Sequence, residues 1–120
     1  MMLYINRKAD FAFKDARGAL VQLVHEGYDQ VNVLKTNAGV ERGGHYHKIS
    51  RELFYVVSGS VIVSLEKDGC KENKRFNEGD FFEIPPYVIH SMNFDEDCVL
   101  VALYDKCVEL ENGEKDIYPA

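Results

Sequence analysis

Residues 39–59 read Gly39-Val40-Glu41-Arg42-Gly43-Gly44-His45-Tyr46-His47-Lys48-Ile49-Ser50-Arg51-Glu52-Leu53-Phe54-Tyr55-Val56-Val57-Ser58-Gly59. Two of the chain's four histidines stand here two positions apart. On a strand, residues i and i+2 point to the same side, so His45 and His47 face one way and Tyr46 the other. Glu52 follows five residues after His47, so a short turn brings it back on the neighbouring strand. A third histidine, His90, opens a strand-like run after the rigid Pro85-Pro86 pair. Two or three imidazoles and one carboxylate converging inside a small barrel make a site for a divalent metal such as Zn, Fe, Mn or Ni. Taken alone, the same residues also read as two surface histidines, a half-buried His90 and a solvated Glu52.

Outward from this stretch, apolar runs are short and regularly spaced: Leu20–Val24, Val31–Lys35, Leu53–Val57, Ser60–Glu66, Phe81–Ile84, His90–Phe94 and Cys98–Tyr104. Several alternate with period two; Val61, Val63 and Leu65 share a face, while Ile62 and Ser64 share the other. Gly43-Gly44, Ser58-Gly59-Ser60, Asn77-Glu78-Gly79-Asp80 and Pro85-Pro86 punctuate them, and Asp68-Gly69 signals a tight hairpin. Helical periodicity is nowhere sustained over 11 residues. The pattern predicts an all-β sandwich or barrel of two antiparallel sheets. Phe54, Val56, Phe81 and Phe82 are expected in its core, with Tyr46 and Tyr55 pointing away from the histidine face. The segment Glu109–Ala120, charged and containing Asn112-Gly113, reads equally as a hairpin or a frayed tail.

The 120 residues are too few for two well-buried cores, so one domain over 1–120 is expected. Fourteen Lys and Arg against 20 Asp and Glu leave a net charge of −6, which argues against nucleic acid as a partner. No apolar run approaches the roughly 20 residues of a membrane span, and charge arrives early after Met1, unlike a signal peptide. Cys70, Cys98 and Cys107 are odd in number and lack CxxC spacing, which suits free thiols and a cytoplasmic setting. None is assigned a chemical role, and Cys98, inside an apolar run, is expected in the core.

The spacing Gly39-x5-His45-x-His47-x4-Glu52-x6-Gly59 resembles the first cupin motif at every defining position. Gly79 through Pro85, Pro86 and His90 resembles the second, with Tyr87 where that family usually has Gly and Phe94 where it usually has Asn. The resemblance implies a cupin jelly roll over roughly 31–104. It also implies that His45, His47, Glu52 and His90 are the metal set. A narrower likeness rests on Arg42-Gly43-x-His45-x-His47 and on Asp15-Ala16-Arg17-Gly18. It is to the sugar-nucleotide cupins, namely the dTDP-4-keto-6-deoxyhexose 3,4-ketoisomerases, the related 3,5-epimerases and the CapF-type capsule-synthesis domains.

That likeness implies isomerisation or epimerisation of a nucleotide-linked keto sugar in surface-polysaccharide synthesis. In the resembling ketoisomerases the His-x-His pair handles protons without metal; in the CapF-like proteins the same cluster holds one. His45 and His47 are therefore the candidate catalytic residues. Arg17 and Arg42, two of only five arginines, are candidates for a diphosphate, which needs guanidinium forks or backbone donors. Tyr87 and Tyr104 are candidates to stack on a ligand ring. A metal-dependent cupin enzyme such as a dioxygenase, or a ligand-binding cupin without turnover, are the alternative readings. The apolar strand near Leu20–Val24 would be an unpaired edge if left alone, so residues 1–30 are expected at a two-fold dimer contact.

Overall fold

A computed structural model describes residues 2–120 as strands, turns and loops. Twelve strands appear in chain order: β1 Ile5–Asn6, β2 Phe11–Asp15, β3 Gly18–Gln22, β4 Gln30–Thr36, β5 Glu41–Tyr46, β6 Glu52–Ser58, β7 Ser60–Lys67, β8 Cys70–Asn77, β9 Phe81–Ile84, β10 Ile89–Asn93, β11 Cys98–Tyr104 and β12 Tyr118–Pro119. Two five-stranded antiparallel sheets, β1-β9-β6-β11-β4 and β12-β5-β10-β7-β8, carry most of the chain, and β2 and β3 form a separate hairpin. The chain is all-β, a jelly-roll architecture. Among the described residues no helix is long and apolar enough to cross a membrane.

Period-two patterning decides which residues face between the sheets. Inward-facing side chains run Glu52, Phe54, Val56 along β6, Tyr104, Ala102, Leu100 along β11, and His90, Met92 along β10. Tyr104 lies across from Glu52, and His90 across from His45. Each strand therefore runs from a polar inward residue at one end to apolar ones at the other. Phe54, Val56, Val61, Val63, Leu65, Phe76, Phe82, Ile84 and Leu100 fill the apolar end.

β8 escaped the apolar pattern because its sequence, CKENKRFN, is mostly charged and its outer face is solvated. Its pairing partner and the turn before it make it a strand. Asp68 and Gly69 both have positive φ, 51° and 80°, as a two-residue type I′ hairpin requires, and Phe76 alone of the strand is fully buried. β5 also lacks an apolar run, having two glycines and two charges.

The outer face of the first sheet carries a second apolar layer. Leu53, Phe81 and Leu103 are buried there under Leu23, Val24 and Tyr28. Farther along, Val31 and Val33 on β4 are 59% and 63% exposed, and β4 is a sheet edge. The β2–β3 hairpin is exposed along its whole length, Phe11, Phe13 and Leu20 included.

Candidate active site

The polar end of the sandwich opens into a cavity of about 320 Å³. β5 and β10 bring His45 and His90 together, ring centroids 4.6 Å apart, and His47 sits just past the end of β5, 5.2 Å from His45 and 5.6 Å from His90. Close approach of the two strands depends on Gly43. A Cβ there would meet the His90 carbonyl oxygen at 2.8 Å, and its φ of 95° suits glycine. Glu52 opens β6 and Tyr104 ends β11, both in the cavity wall. The turn before β10 is clamped to the site by Tyr87, whose N–H donates to the His47 carbonyl at 2.7 Å from a left-handed backbone, φ 69°.

His47, Glu52 and His90 are almost completely buried, while His45 is half-buried. His47 Nδ1 lies 2.5 Å from the Asp116 carbonyl and His90 Nδ1 3.1 Å from that of Val88. A carbonyl only accepts, so both Nδ1 atoms carry the hydrogen and each neutral ring offers a bare Nε2. Both Nε2 atoms lie 3.2 Å from Glu52 Oε1, itself an acceptor. Protonated His47 resolves its own share by donating to Glu52. His90 Nε2 makes no hydrogen bond at all, although it is buried.

The electrostatics follow from that packing. Burial is the largest influence on His45 and, with the neighbouring His90, lowers its pKa to about 4. Burial opposes charge on His47 too, but the hydrogen bond and charge of Glu52 and the Asp116 carbonyl outweigh it and raise that pKa. Glu52 feels the strongest desolvation, yet the hydrogen bond from His47 and the closeness of His90 pull it down to about 2. Burial and then the Glu52 carboxylate push the Tyr104 hydroxyl above its ordinary range, so it keeps its proton.

The donor set suits a divalent cation. One ligand atom from each of His45, His47, Glu52 and His90 lies within 4.8 Å of the others. A cation among them would give the orphaned His90 Nε2 a partner and relieve the meeting of that bare nitrogen with the Glu52 carboxylate.

Of the residues singled out in the sequence, His45, His47, Glu52, His90, Arg42 and Tyr104 line this one cavity. Arg42 donates through Nε to Thr36 Oγ1 at 2.8 Å, and its terminal nitrogens have no protein partner among the described residues. Within one chain Arg17 and Tyr87 lie elsewhere. Arg17 caps the exposed β2–β3 turn, bonded to Asp15 at 2.6 Å, and Tyr87 stacks outward on Tyr46, centroids 6.2 Å apart. Sequence reasoning missed Gln30, Asn32, Glu109, Lys115 and Ile117, which also line the wall, and Asp116 beneath it. The last four come from a charged segment without periodicity, so no pattern marked them. That segment is ordered. Leu110 and Glu114 close a turn, the backbones of Glu109 and Lys115 form an antiparallel β-bridge, and β12 pairs with β5.

Residues 13–114 match the family model described as "Polysaccharide biosynthesis C-terminal domain". Among solved structures, the chain is similar to the QdtA 3,4-ketoisomerase of Thermoanaerobacterium thermosaccharolyticum. A double mutant of QdtA in complex with TDP is 25% identical, with 88% of this chain and 82% of that one covered and a TM-score of 0.76. A single mutant bound to TDP-4-keto-6-deoxyglucose is 22% identical, covers 100% and 89%, and scores 0.81. The capsular polysaccharide assembling protein CapF of Staphylococcus aureus is 22% identical, covering 91% of this chain and 32% of that one, with a TM-score of 0.69. The acireductone dioxygenase of Bacillus pumilus is 32% identical over 59 residues, 48% of this chain and 34% of that protein. The matches thus span most of QdtA and about a third of CapF and the dioxygenase.

Proposed function

We propose, from the premise that this chain belongs to the polysaccharide biosynthesis C-terminal domain family, that its cavity isomerises or epimerises a nucleotide-linked keto sugar. The observation that carries this reading is the His45–His47–Glu52–His90 cluster, all but His45 buried, in a cavity with Arg42 in its wall. A proton leaves the carbon beside the carbonyl, its bonding pair forms the enediol, and a proton returns to the other carbon or the other face. His45, neutral and without a hydrogen-bond partner among the described residues, accepts the first proton. Tyr104 donates toward the developing oxyanion, and His47, held charged by Glu52, gives up its Nε2 proton as the general acid. Incubating the chain with TDP-4-keto-6-deoxyglucose in deuterated water should place deuterium on the carbon beside the carbonyl, read by NMR. Unexchanged sugar after prolonged incubation overturns the reading.

The orphaned His90 Nε2 favours a second use of the same four groups, as ligands of one divalent cation. When bound, the cation would supply Lewis-acid polarisation of a substrate oxygen. A ligated nitrogen cannot also take a proton, so the two uses exclude each other at His45 and His47. Metal analysis of protein purified without chelators, followed by assay after stripping, separates them. Turnover that survives stripping assigns the histidines to proton transfer; turnover lost on stripping and restored by Zn²⁺ or Mn²⁺ assigns them to the cation.

Arg42 is the proposed diphosphate contact, because its terminal nitrogens have no protein partner among the described residues. Arg42→Ala should weaken TDP binding roughly ten- to a hundredfold, since a charge-assisted contact is worth about 1.5–3 kcal/mol. Titration calorimetry showing unchanged affinity removes Arg42 from this role.

Two exposed apolar surfaces support a two-fold dimer. β4 presents an unpaired edge flanked by exposed Val31 and Val33, while the β2–β3 hairpin exposes Phe11, Phe13 and Leu20. A second copy whose hairpin extends the sheet at β4 would cover both. Light scattering at micromolar concentration should give about twice 13.7 kDa. A monomeric mass rejects the arrangement.

A further inference from the structure

Asp116 is completely buried, yet it belongs to the charged C-terminal segment. Its carboxylate accepts from three successive backbone amides directly after His47: Lys48 at 2.9 Å, Ile49 at 3.1 Å and Ser50 at 2.9 Å. Its own carbonyl accepts from His47 Nδ1 at 2.5 Å, and its N–H donates to the Val108 carbonyl at 2.7 Å. One residue therefore holds His47 twice, its side chain gripping the loop that follows the histidine and its main chain fixing the ring. On either side of it, Lys115 and Ile117 line the cavity. Ser50 adds a second tie, its hydroxyl donating to the Lys106 carbonyl at 2.7 Å.

We propose that Asp116 is the positioning residue of this site, holding His47 in the Nδ1–H tautomer so that residues 108–118 form a working strap of the cavity. The inference rests on the site as described and on neither use of its four groups in particular. With Nδ1 committed to the Asp116 carbonyl, only Nε2 can face the cavity cluster. The side chain matters because it is what seats that carbonyl. An uncharged amide offers one acceptor oxygen instead of two, and turns an N–H₂ group toward the backbone N–H donors.

The test uses the full chain and Asp116→Asn. In long-range ¹H–¹⁵N spectra recorded at a pH high enough to leave His47 neutral, the unaltered protein should show the Nδ1–H tautomer, and the variant should show a mixture with Nε2–H. Zn²⁺ affinity, measured with the metal alone, should fall about ten- to a hundredfold, as is typical when a group behind a ligand is lost. A purely structural role would lower the melting temperature while leaving tautomer and affinity unchanged in the folded variant, and that result overturns the proposal. Should Asp116→Asn not fold, the unaltered chain still decides, because an Nε2–H tautomer of His47 there also overturns it. The tautomer readout needs no cation, so it stands for or against Asp116 independently of whether the cluster binds zinc.

Discussion

His47→Asn should lower kcat on TDP-4-keto-6-deoxyglucose by about 10²- to 10⁴-fold while leaving TDP affinity within a few-fold of the unaltered chain, the range typical for loss of a general acid or base. The asymmetry follows from where the residue sits. His47 is buried on the cavity floor and bonded to Glu52 at 3.2 Å, whereas the proposed diphosphate contact, Arg42, stands in the wall. Proton transfer is made only in the transition state, so its loss appears in kcat rather than in ground-state binding. Asparagine is close to imidazole in reach and keeps polar atoms near Glu52 and the Asp116 carbonyl, which limits collapse of the site. Stopped assays by NMR with parallel calorimetry check both halves. An unchanged kcat, or loss of nucleotide binding equal to the loss of turnover, contradicts the assignment.

Gly59→Ala should destabilise the fold by roughly 2–5 kcal/mol, the sum of left-handed backbone strain and overpacking. Gly59 has a φ of 79°, and a Cβ built on it would come 2.2 Å from the Asp97 carbonyl oxygen and 3.0 Å from Cys98 Cα. Both neighbours are backbone, so no flexible side chain can swing aside. Gly59 joins β6 to β7 and so fixes the step from the first sheet to the second. The last glycine of the histidine motif thus has a steric reason for its identity. For a chain of this size the expected fall in melting temperature is about 8–20 °C, read by calorimetry. A change under 2 °C would show that the β6–β7 step relaxes without cost.

How much was legible in advance depended on whether the signal was local. The alternation of Val61, Val63 and Leu65 and the Asp68-Gly69 turn announce β7 and its hairpin because periodicity and positive φ are properties of adjacent residues. β8 was silent because a strand with one solvated face and one buried Phe76 has no apolar run to detect. The His45, His47, Glu52 and His90 set was legible through spacing, since strand parity and a short turn constrain where those side chains point. Tyr104 could be suspected only as an aromatic at a strand end.

By itself the sequence determined the strand-rich class, the inward face of each patterned strand and the histidine–carboxylate cluster, because each depends on a period of two and on turns of a few residues. Tertiary structure alone decided that Arg17 and Tyr87 stand off the cavity of their own chain, that Lys115 and Ile117 wall it, and that Asp116 holds His47 from 69 positions away. Contacts of that separation depend on how two sheets close over each other, and a charged segment without periodicity carries no local mark of the partner it will meet.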